Sequence, residues 1–111
     1  MTDKLFGALS LCRKAGKLKL GMDVACEALA KKQCALLLFS GDLSPRSARK
    51  AQQAAQQANI QTRTLPYAME QLTSITGKEY GIMAVCDHHF AQMIKNQIDQ
   101  MPISDTDSLR Q

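Results

Sequence analysis

The sequence lacks any long hydrophobic run. Its longest apolar stretch covers residues 34–39, whereas a membrane-spanning helix needs about 20 apolar residues. The N-terminus also lacks an apolar segment followed by a small-residue cleavage site, so we expect no secretory signal. These absences predict a cytoplasmic protein that does not bind a membrane. The length of 111 residues suits one domain, which we assign to residues 1–101, followed by a loose polar tail at residues 102–111.

The cysteines form no Cys-x-x-Cys pair and match no common zinc-binding spacing. There are four of them: Cys12, Cys26, Cys34 and Cys86. Two lie in apolar runs and two in predicted helices. We therefore interpret them as reduced thiols that fill small core positions, and we expect no metal site.

Sequence motifs for catalysis and cofactor binding are also missing. Neither glycine-rich phosphate loop occurs, and neither does a Gly-x-Ser-x-Gly elbow or a His-x-x-x-His pair. His88 and His89 follow an apolar run, but adjacent helical residues point about 100° apart, so both cannot readily serve one site. Cys86 has no evident activating base nearby in the sequence. We expect no enzyme activity, no cofactor and no small-molecule substrate; an enzyme using His88, Cys86 or an unrecognised pocket is the alternative.

Positive charge is concentrated in the first half of the chain. Residues 1–50 carry a net charge of +6, and residues 51–111 carry −2. A basic region beside a mildly acidic one is typical of a protein with one face for a polyanion. Uneven charge that serves only solubility is the alternative interpretation.

Hydrophobic periodicity predicts helices and strands in strict alternation. The predicted helices cover residues 3–14, the segment between Gly21 and Lys32, and segments that begin at Ser44-Pro45, at Pro66 and at Asp87; the predicted strands are residues 17–20, 34–39, 60–65 and 82–86. This order predicts an α/β fold, a three-layer α/β/α sandwich. Its sheet should be small, mixed but mostly parallel, with about four strands.

A basic stretch joins the first helix to the second. Arg13, Lys14, Lys17 and Lys19 place four cations within seven residues. Gly21 then opens a helix whose first amide groups point outward. A helix N-terminus flanked by lysines is a natural phosphate site, although a solvated connector would have the same composition.

The sequence from Arg13 to Gly21 resembles the opening signature of the kink-turn RNA-binding ribosomal proteins. The archaeal ribosomal protein L-seven-Ae is the type member of that family, and the chain looks most similar to its small bacterial YlxQ-type members. Further matching segments are Leu36-Leu37-Leu38-Phe39 with Asp42, Leu72-x-x-x-x-Gly77-Lys78-Glu79, and Ala84-Val85-x-Asp87-x-x-Phe90-Ala91. The matches keep their order from about residue 5 to residue 98.

This resemblance implies an L-thirty-e-like fold and RNA binding without catalysis. In the family, a helix carrying Gly-x-Asn-Glu-x-x-Lys enters the groove of a kinked RNA, and its Asn-Glu pair reads sheared G·A pairs. The glycine of that motif falls on Gly21, the asparagine on Asp23, the glutamate on Val24 and the lysine on Glu27. The loop that covers a flipped base falls on Gly77, Lys78, Glu79, Tyr80 and Gly81.

The departures from the motif bear on specificity. Val24 cannot accept hydrogen bonds from guanine, and Asp23 and Glu27 bring negative charge toward phosphates. General affinity would then depend on the basic residues, which are Arg13, Lys14, Lys17, Lys19 and Lys31. Tyr80 either stacks on an unpaired base or packs on the sheet edge.

We therefore predict a non-enzymatic protein that binds structured RNA, in the ribosome or another ribonucleoprotein. Ribosomal or RNA-processing proteins are a second class of partner. The main alternative is a protein-interaction module that keeps the fold but has lost the RNA site, which the residues at positions 24 and 27 favour.

Overall fold

The computed structural model describes residues 4–100, and these contain five α-helices, one 3-10 turn and four strands. The helices are α1 (Lys4–Lys14), α2 (Met22–Ala30), α3 (Pro45–Gln57), α4 (Thr73–Thr76) and α5 (His88–Asp99). The strands are β1 (Leu18–Leu20), β2 (Leu36–Phe39), β3 (Thr62–Thr64) and β4 (Ile82–Val85), and the 3-10 turn is Glu70–Leu72. The tail predicted at residues 102–111 lies outside the described residues.

The four strands form one mixed sheet in the order β1-β4-β2-β3. The four-stranded mixed sheet is confirmed, but the expectation that it is mostly parallel is wrong. Only β2 and β3 pair in parallel, whereas β4 pairs antiparallel with both β1 and β2. The physical reason is that β4 inserts between β1 and β2, which run in the same direction, so it presents an antiparallel edge to each.

Helices cover both faces of the sheet, which confirms the α/β/α sandwich. On one face α1 and α5 pack through large side chains such as Leu5, Leu9 and Ile94. On the other face α2 and α3 pack through small ones such as Ala25 and Ala51. The central strands β2 and β4 are buried along their whole length, as their unbroken apolar sequences predict.

Local signals define most helix ends as expected. Gly16 has φ 75° and ends α1, because its amide and that of Lys17 donate to the last carbonyl groups of the helix. Ser44 caps α3 by accepting from the Ser47 amide at 3.2 Å, and Asp87 caps α5 by accepting from the Phe90 amide at 3.0 Å.

The predicted helix from Pro66 is wrong in extent. The segment forms only the 3-10 turn and the four-residue α4. Its start is displaced because the Asp42 carboxylate accepts from the Met69 amide at 3.0 Å and holds the chain against another loop. Gly77, with φ 84°, then ends α4. Helix α2 is also shorter than expected, since Lys32 has a φ of 60°.

Four connecting segments meet at one edge of the sheet, which we call the loop edge. They are Gly21 with the start of α2, residues 40–44, residues 65–69 and residues 77–81. The Gly21 amide donates to the Ile82 carbonyl at 2.8 Å, and the Ser40 amide donates to the Gly81 carbonyl at 2.9 Å. Backbone hydrogen bonds therefore fix these segments relative to one another.

Candidate nucleic-acid interface

The loop edge brings together two predicted RNA-binding segments that are far apart in the sequence. Gly21 has φ 96° and ψ 158°, a conformation that is essentially restricted to glycine. A Cβ atom at this position would lie 3.5 Å from the ring of Tyr80, so the ring rests against the Gly21 backbone. Tyr80 remains partly exposed. The ring therefore packs at the sheet edge, which is one of the two interpretations of this residue, and stacking on a base stays a prediction.

The start of α2 is open to solvent. Gly21 provides no side-chain cap, and the first amide with an intrahelical acceptor is that of Ala25, which donates to the Gly21 carbonyl at 2.9 Å. Asp23 and Val24 in the first turn are exposed. The uncapped amides and the helix dipole make this end favourable for an anion, although the Asp23 carboxylate already places one negative charge there.

Lys19 projects toward the face of the sheet that carries α2. The alternation of β1 buries Leu18 against α1 and leaves Lys19 exposed on the opposite side, and Lys17, which precedes the strand, is also exposed. Burial raises the pKa of the Cys86 thiol, and the charges of Lys19 and Lys17 oppose that rise. The charges of both lysines therefore act on this thiol.

Glu27 is neutralised by its neighbours. Its carboxylate lies 2.8 Å from the Lys31 ammonium group, one helical turn further along α2. The hydrogen bond from Lys31, with smaller help from the charge of Lys19, lowers the pKa of Glu27. Because an exposed pair of this kind is weak, Lys31 can exchange this carboxylate for a phosphate at little cost.

Arg13 and Lys14 lie apart from the other predicted residues. They close α1, which covers the opposite face of the sheet, and the Arg13 guanidinium donates to the Leu18 carbonyl at 3.3 Å. Lys17 precedes β1 and is about 13 Å along the extended chain from Gly21. The basic stretch of the sequence is thus divided: Lys19 is close to the loop edge, and Arg13 and Lys14 are remote from it.

The loop at residues 77–81 is anchored at both ends. The Thr76 hydroxyl is buried and lies within hydrogen-bond distance of the Leu72 carbonyl, at 3.0 Å, and of the Lys78 carbonyl, at 2.5 Å. At the other end, a Cβ on Gly81 would come within 2.6 Å of Leu43, so only glycine fits without displacement of that side chain. Lys78 and Glu79 are exposed between these anchors.

A further group of cations was missed by the sequence analysis of the site. Arg46, Arg49 and Lys50 occupy the first two turns of α3 and are all exposed. Their spacing of three and four residues, in a helix with no acidic residue, was the signal that could have identified them. Within residues 4–100 none of the three forms an ion pair.

The alternative sites have properties unfavourable for catalysis. A cleft of about 690 Å³ between the C-terminal ends of α2 and α3 is lined by Cys26, Cys34 and His88, among others. Burial raises the pKa of the Cys34 thiol to about 11, which keeps it protonated and weakly nucleophilic near neutral pH. Burial also raises the pKa of Cys86.

The part of the chain that the structure describes holds no group of three or more His, Cys, Asp or Glu side chains placed to bind a metal ion. In the same residues, no helix is long and apolar enough to cross a membrane.

Comparison with known proteins establishes the fold. No family model and no curated protein sequence matches the chain. A solved structure from Bacillus halodurans C, of a protein with unknown function, superimposes with a TM-score of 0.82 at 22% identity, covering 89% of this chain and 100% of that one. The 15.5kD RNA binding protein of Giardia lamblia superimposes with a TM-score of 0.70 at 9% identity, covering 89% and 88%. The chain therefore has the same three-layer α/β/α fold as these two proteins.

Proposed function

We propose that the chain is a non-enzymatic RNA-binding protein whose loop edge recognises structured, kinked RNA in a cytoplasmic ribonucleoprotein such as the ribosome. The observation that carries the proposal is the contact of the Tyr80 ring with Gly21, at the uncapped start of α2. An aromatic ring and a set of free amides side by side suit an unstacked base and its phosphate. The fold shared with an RNA binding protein from Giardia lamblia supports the same conclusion.

The residues assigned to RNA contact have separate roles in this proposal. The first amides of α2, with Lys17 and Lys19, hold phosphates. Asp23 accepts a hydrogen bond from an exocyclic amino group of a base. Lys78 and Tyr80 cover an extruded nucleotide.

The preference for kink-turn RNA over other RNA should be reduced, whereas the general affinity for RNA should persist. Val24 cannot read a sheared G·A pair, and Glu27 is occupied by Lys31. A base-reading contact is worth roughly 1–3 kcal/mol of discrimination, so the loss of the contact at Val24 lowers the preference for the kinked form by about that amount. The cations are unaffected by these changes, and electrostatic attraction to the backbone persists.

The test is RNA binding by protein from which nucleic acid has been stripped, measured by fluorescence anisotropy across a salt series. A kink-turn RNA should bind with micromolar or tighter affinity at low salt and should weaken steeply as salt is added. The variant Lys17→Gln/Lys19→Gln should bind less tightly than Lys4→Gln/Lys95→Gln, which removes the same charge from α1 and α5 on the far side of the sheet. Absence of binding to any folded RNA at low salt would overturn the proposal.

A protein-interaction module is the second candidate function, favoured by the side chain of Val24. This side chain is 42% exposed in the first turn of α2, where it offers apolar surface instead of a base-reading carboxylate. Charge reversal at Lys17 and Lys19 separates the two functions. RNA binding should collapse in the reversed variant, whereas a protein complex that survives without RNA would favour this second candidate.

A further inference from the structure

The outward face of α3 is basic and polar along its whole length. Ala51 and Ala55 are buried toward α2 and the sheet, so the opposite side of the helix faces solvent. That side begins with the cations Arg46, Arg49 and Lys50 and continues with glutamines. Because no carboxylate occurs in the helix, its positive charge is not balanced locally.

A groove extends this face onto β3, the outermost strand of the sheet. It has a volume of about 540 Å³ and is lined by Arg49, Gln52, Gln53 and Gln56 of α3, and by Gln61 and Thr62 at the start of the edge strand β3, among others. Nearly every lining side chain can form hydrogen bonds. Arginine with neutral amide and hydroxyl groups is the combination that contacts phosphate and sugar oxygens in nucleic-acid complexes.

The α3 face adjoins the loop edge. Strands β1 and β2 run in the same direction because each is antiparallel to β4. Helices α2 and α3, which follow these strands and contact one another, therefore begin at the same edge of the sheet. From that edge α3 extends over about 20 Å, which is several base pairs of an RNA duplex.

We propose that the α3 face, comprising Arg46, Arg49, Lys50 and the adjoining groove, binds the sugar-phosphate backbone of an RNA stem that flanks the segment held at the loop edge. This inference rests on the proposed function, and it assigns that RNA a second point of contact. The contact follows backbone shape and charge, so it is independent of base sequence.

The experiment compares two variants that each remove two positive charges. Arg49→Gln/Lys50→Gln changes the α3 face, and Lys4→Gln/Lys95→Gln changes α1 and α5 on the opposite side of the sheet. Binding is measured to a kink-turn RNA with long stems and to the same RNA with each stem shortened in turn. For the long-stem RNA, the slope of log K against log salt should become shallower by about 2 in the α3 variant, and affinity should fall about tenfold more than in the control.

Shortening the stem that lies on α3 should remove the difference between the two variants. The inference is overturned if the α3 variant and the control bind the long-stem RNA equally, or if their difference is the same with both shortened RNAs. The proposed function would stand after either of these outcomes, provided that Lys17→Gln/Lys19→Gln weakens RNA binding. If the unmodified protein binds none of these RNAs, the proposed function itself fails.

Discussion

The two faces of the sheet are covered by helices with side chains of very different size. On the α1 and α5 face the buried residues include Leu5, Leu9 and Ile94. On the α2 and α3 face the helices contribute mainly alanines, among them Ala25 and Ala55. The first face therefore buries more apolar surface per helical residue, and the second allows helix backbones to lie closer to the strands.

This difference coincides with the placement of the residues that we propose to bind RNA. The alanine-rich layer carries cations that we assign to RNA contact, including Lys31, Arg46 and Arg49. Lys19 lies on the same side of the sheet, because the alternation of β1 places it opposite the buried Leu18. We infer that the leucine-rich layer supplies most of the stability and the alanine-rich layer supplies the binding surface. The following predictions test this division.

The largest expected effect is that of a cavity in the leucine-rich layer. Leu9 is fully buried, so Leu9→Ala should lower the free energy of unfolding by about 2–5 kcal/mol in urea titrations. Leu11 on the same helix is 57% exposed, and Leu11→Ala should lie within about 0.5 kcal/mol of the unmodified protein. RNA affinity of the folded Leu9→Ala variant should be unchanged. A clear loss of affinity well below its unfolding temperature would contradict the division.

Overpacking of the alanine-rich layer should affect both properties. Ala51 is buried, and Ala51→Leu should cost about 1–3 kcal/mol because α3 must move away from the sheet. That displacement should also weaken RNA binding in the anisotropy assay, whereas Gln57→Leu, at an exposed position of the same helix, should not. Normal affinity in Ala51→Leu would show that the position of α3 does not matter for binding.

A backbone substitution tests the loop edge alone. Gly21→Ala should destabilise the protein by about 1–3 kcal/mol, since φ 96° with ψ 158° is unfavourable for any residue with a Cβ. Gly77→Ala should cost less, about 1–2 kcal/mol, because its φ of 84° and ψ of −25° are near the left-handed helical region. Urea titration measures both. Equal costs would mean that the Gly21 conformation is not specifically restrictive.

The sequence was sufficient to predict the elements of the fold but not the pairing of the strands. Continuous apolar runs identified β2 and β4, and the residues Gly16, Ser44 and Asp87 correctly marked helix ends. Strand order depends on which apolar faces meet in three dimensions, and the local periodicity of the sequence does not specify this. The insertion of β4 between β1 and β2 therefore appears only in the structure.

The candidate site was predicted in part for a similar reason. Proximity in the sequence suggested one cluster from Arg13 to Lys19, yet the ends of β1 and α1 separate these residues. The cations of α3 lie more than twenty residues from Gly21, so no local pattern linked them to it. Hydrogen bonds from Gly21 to Ile82 and from Ser40 to Gly81 bring the start of α2 and the segment before α3 next to the loop at residues 77–81.

The smallest expected effect comes from two carboxylates, one beside each layer. The Phe90 amide lowers the pKa of Asp87 at the start of α5, and the Met69 amide lowers the pKa of Asp42 at the loop edge. A lowered pKa in the folded state stabilises the protein above the unfolded value near 4, and this contribution is lost as the pH falls toward the folded value. Asp87→Ala and Asp42→Ala should therefore both unfold at lower urea than the unmodified protein at pH 7.

The loss of stability in both variants should become smaller between pH 5 and pH 2, because the two carboxylates of the unmodified protein become protonated in that range and no longer stabilise it. Only Asp42→Ala should also weaken RNA binding at pH 7, since Asp42 holds the segment that leads into α3 against residues 67–69. Asp87 caps a helix of the leucine-rich layer, and its loss should leave affinity unchanged. If Asp87→Ala weakened binding as much as Asp42→Ala, the two layers would be coupled, and stability and recognition could not be assigned to separate faces of the sheet.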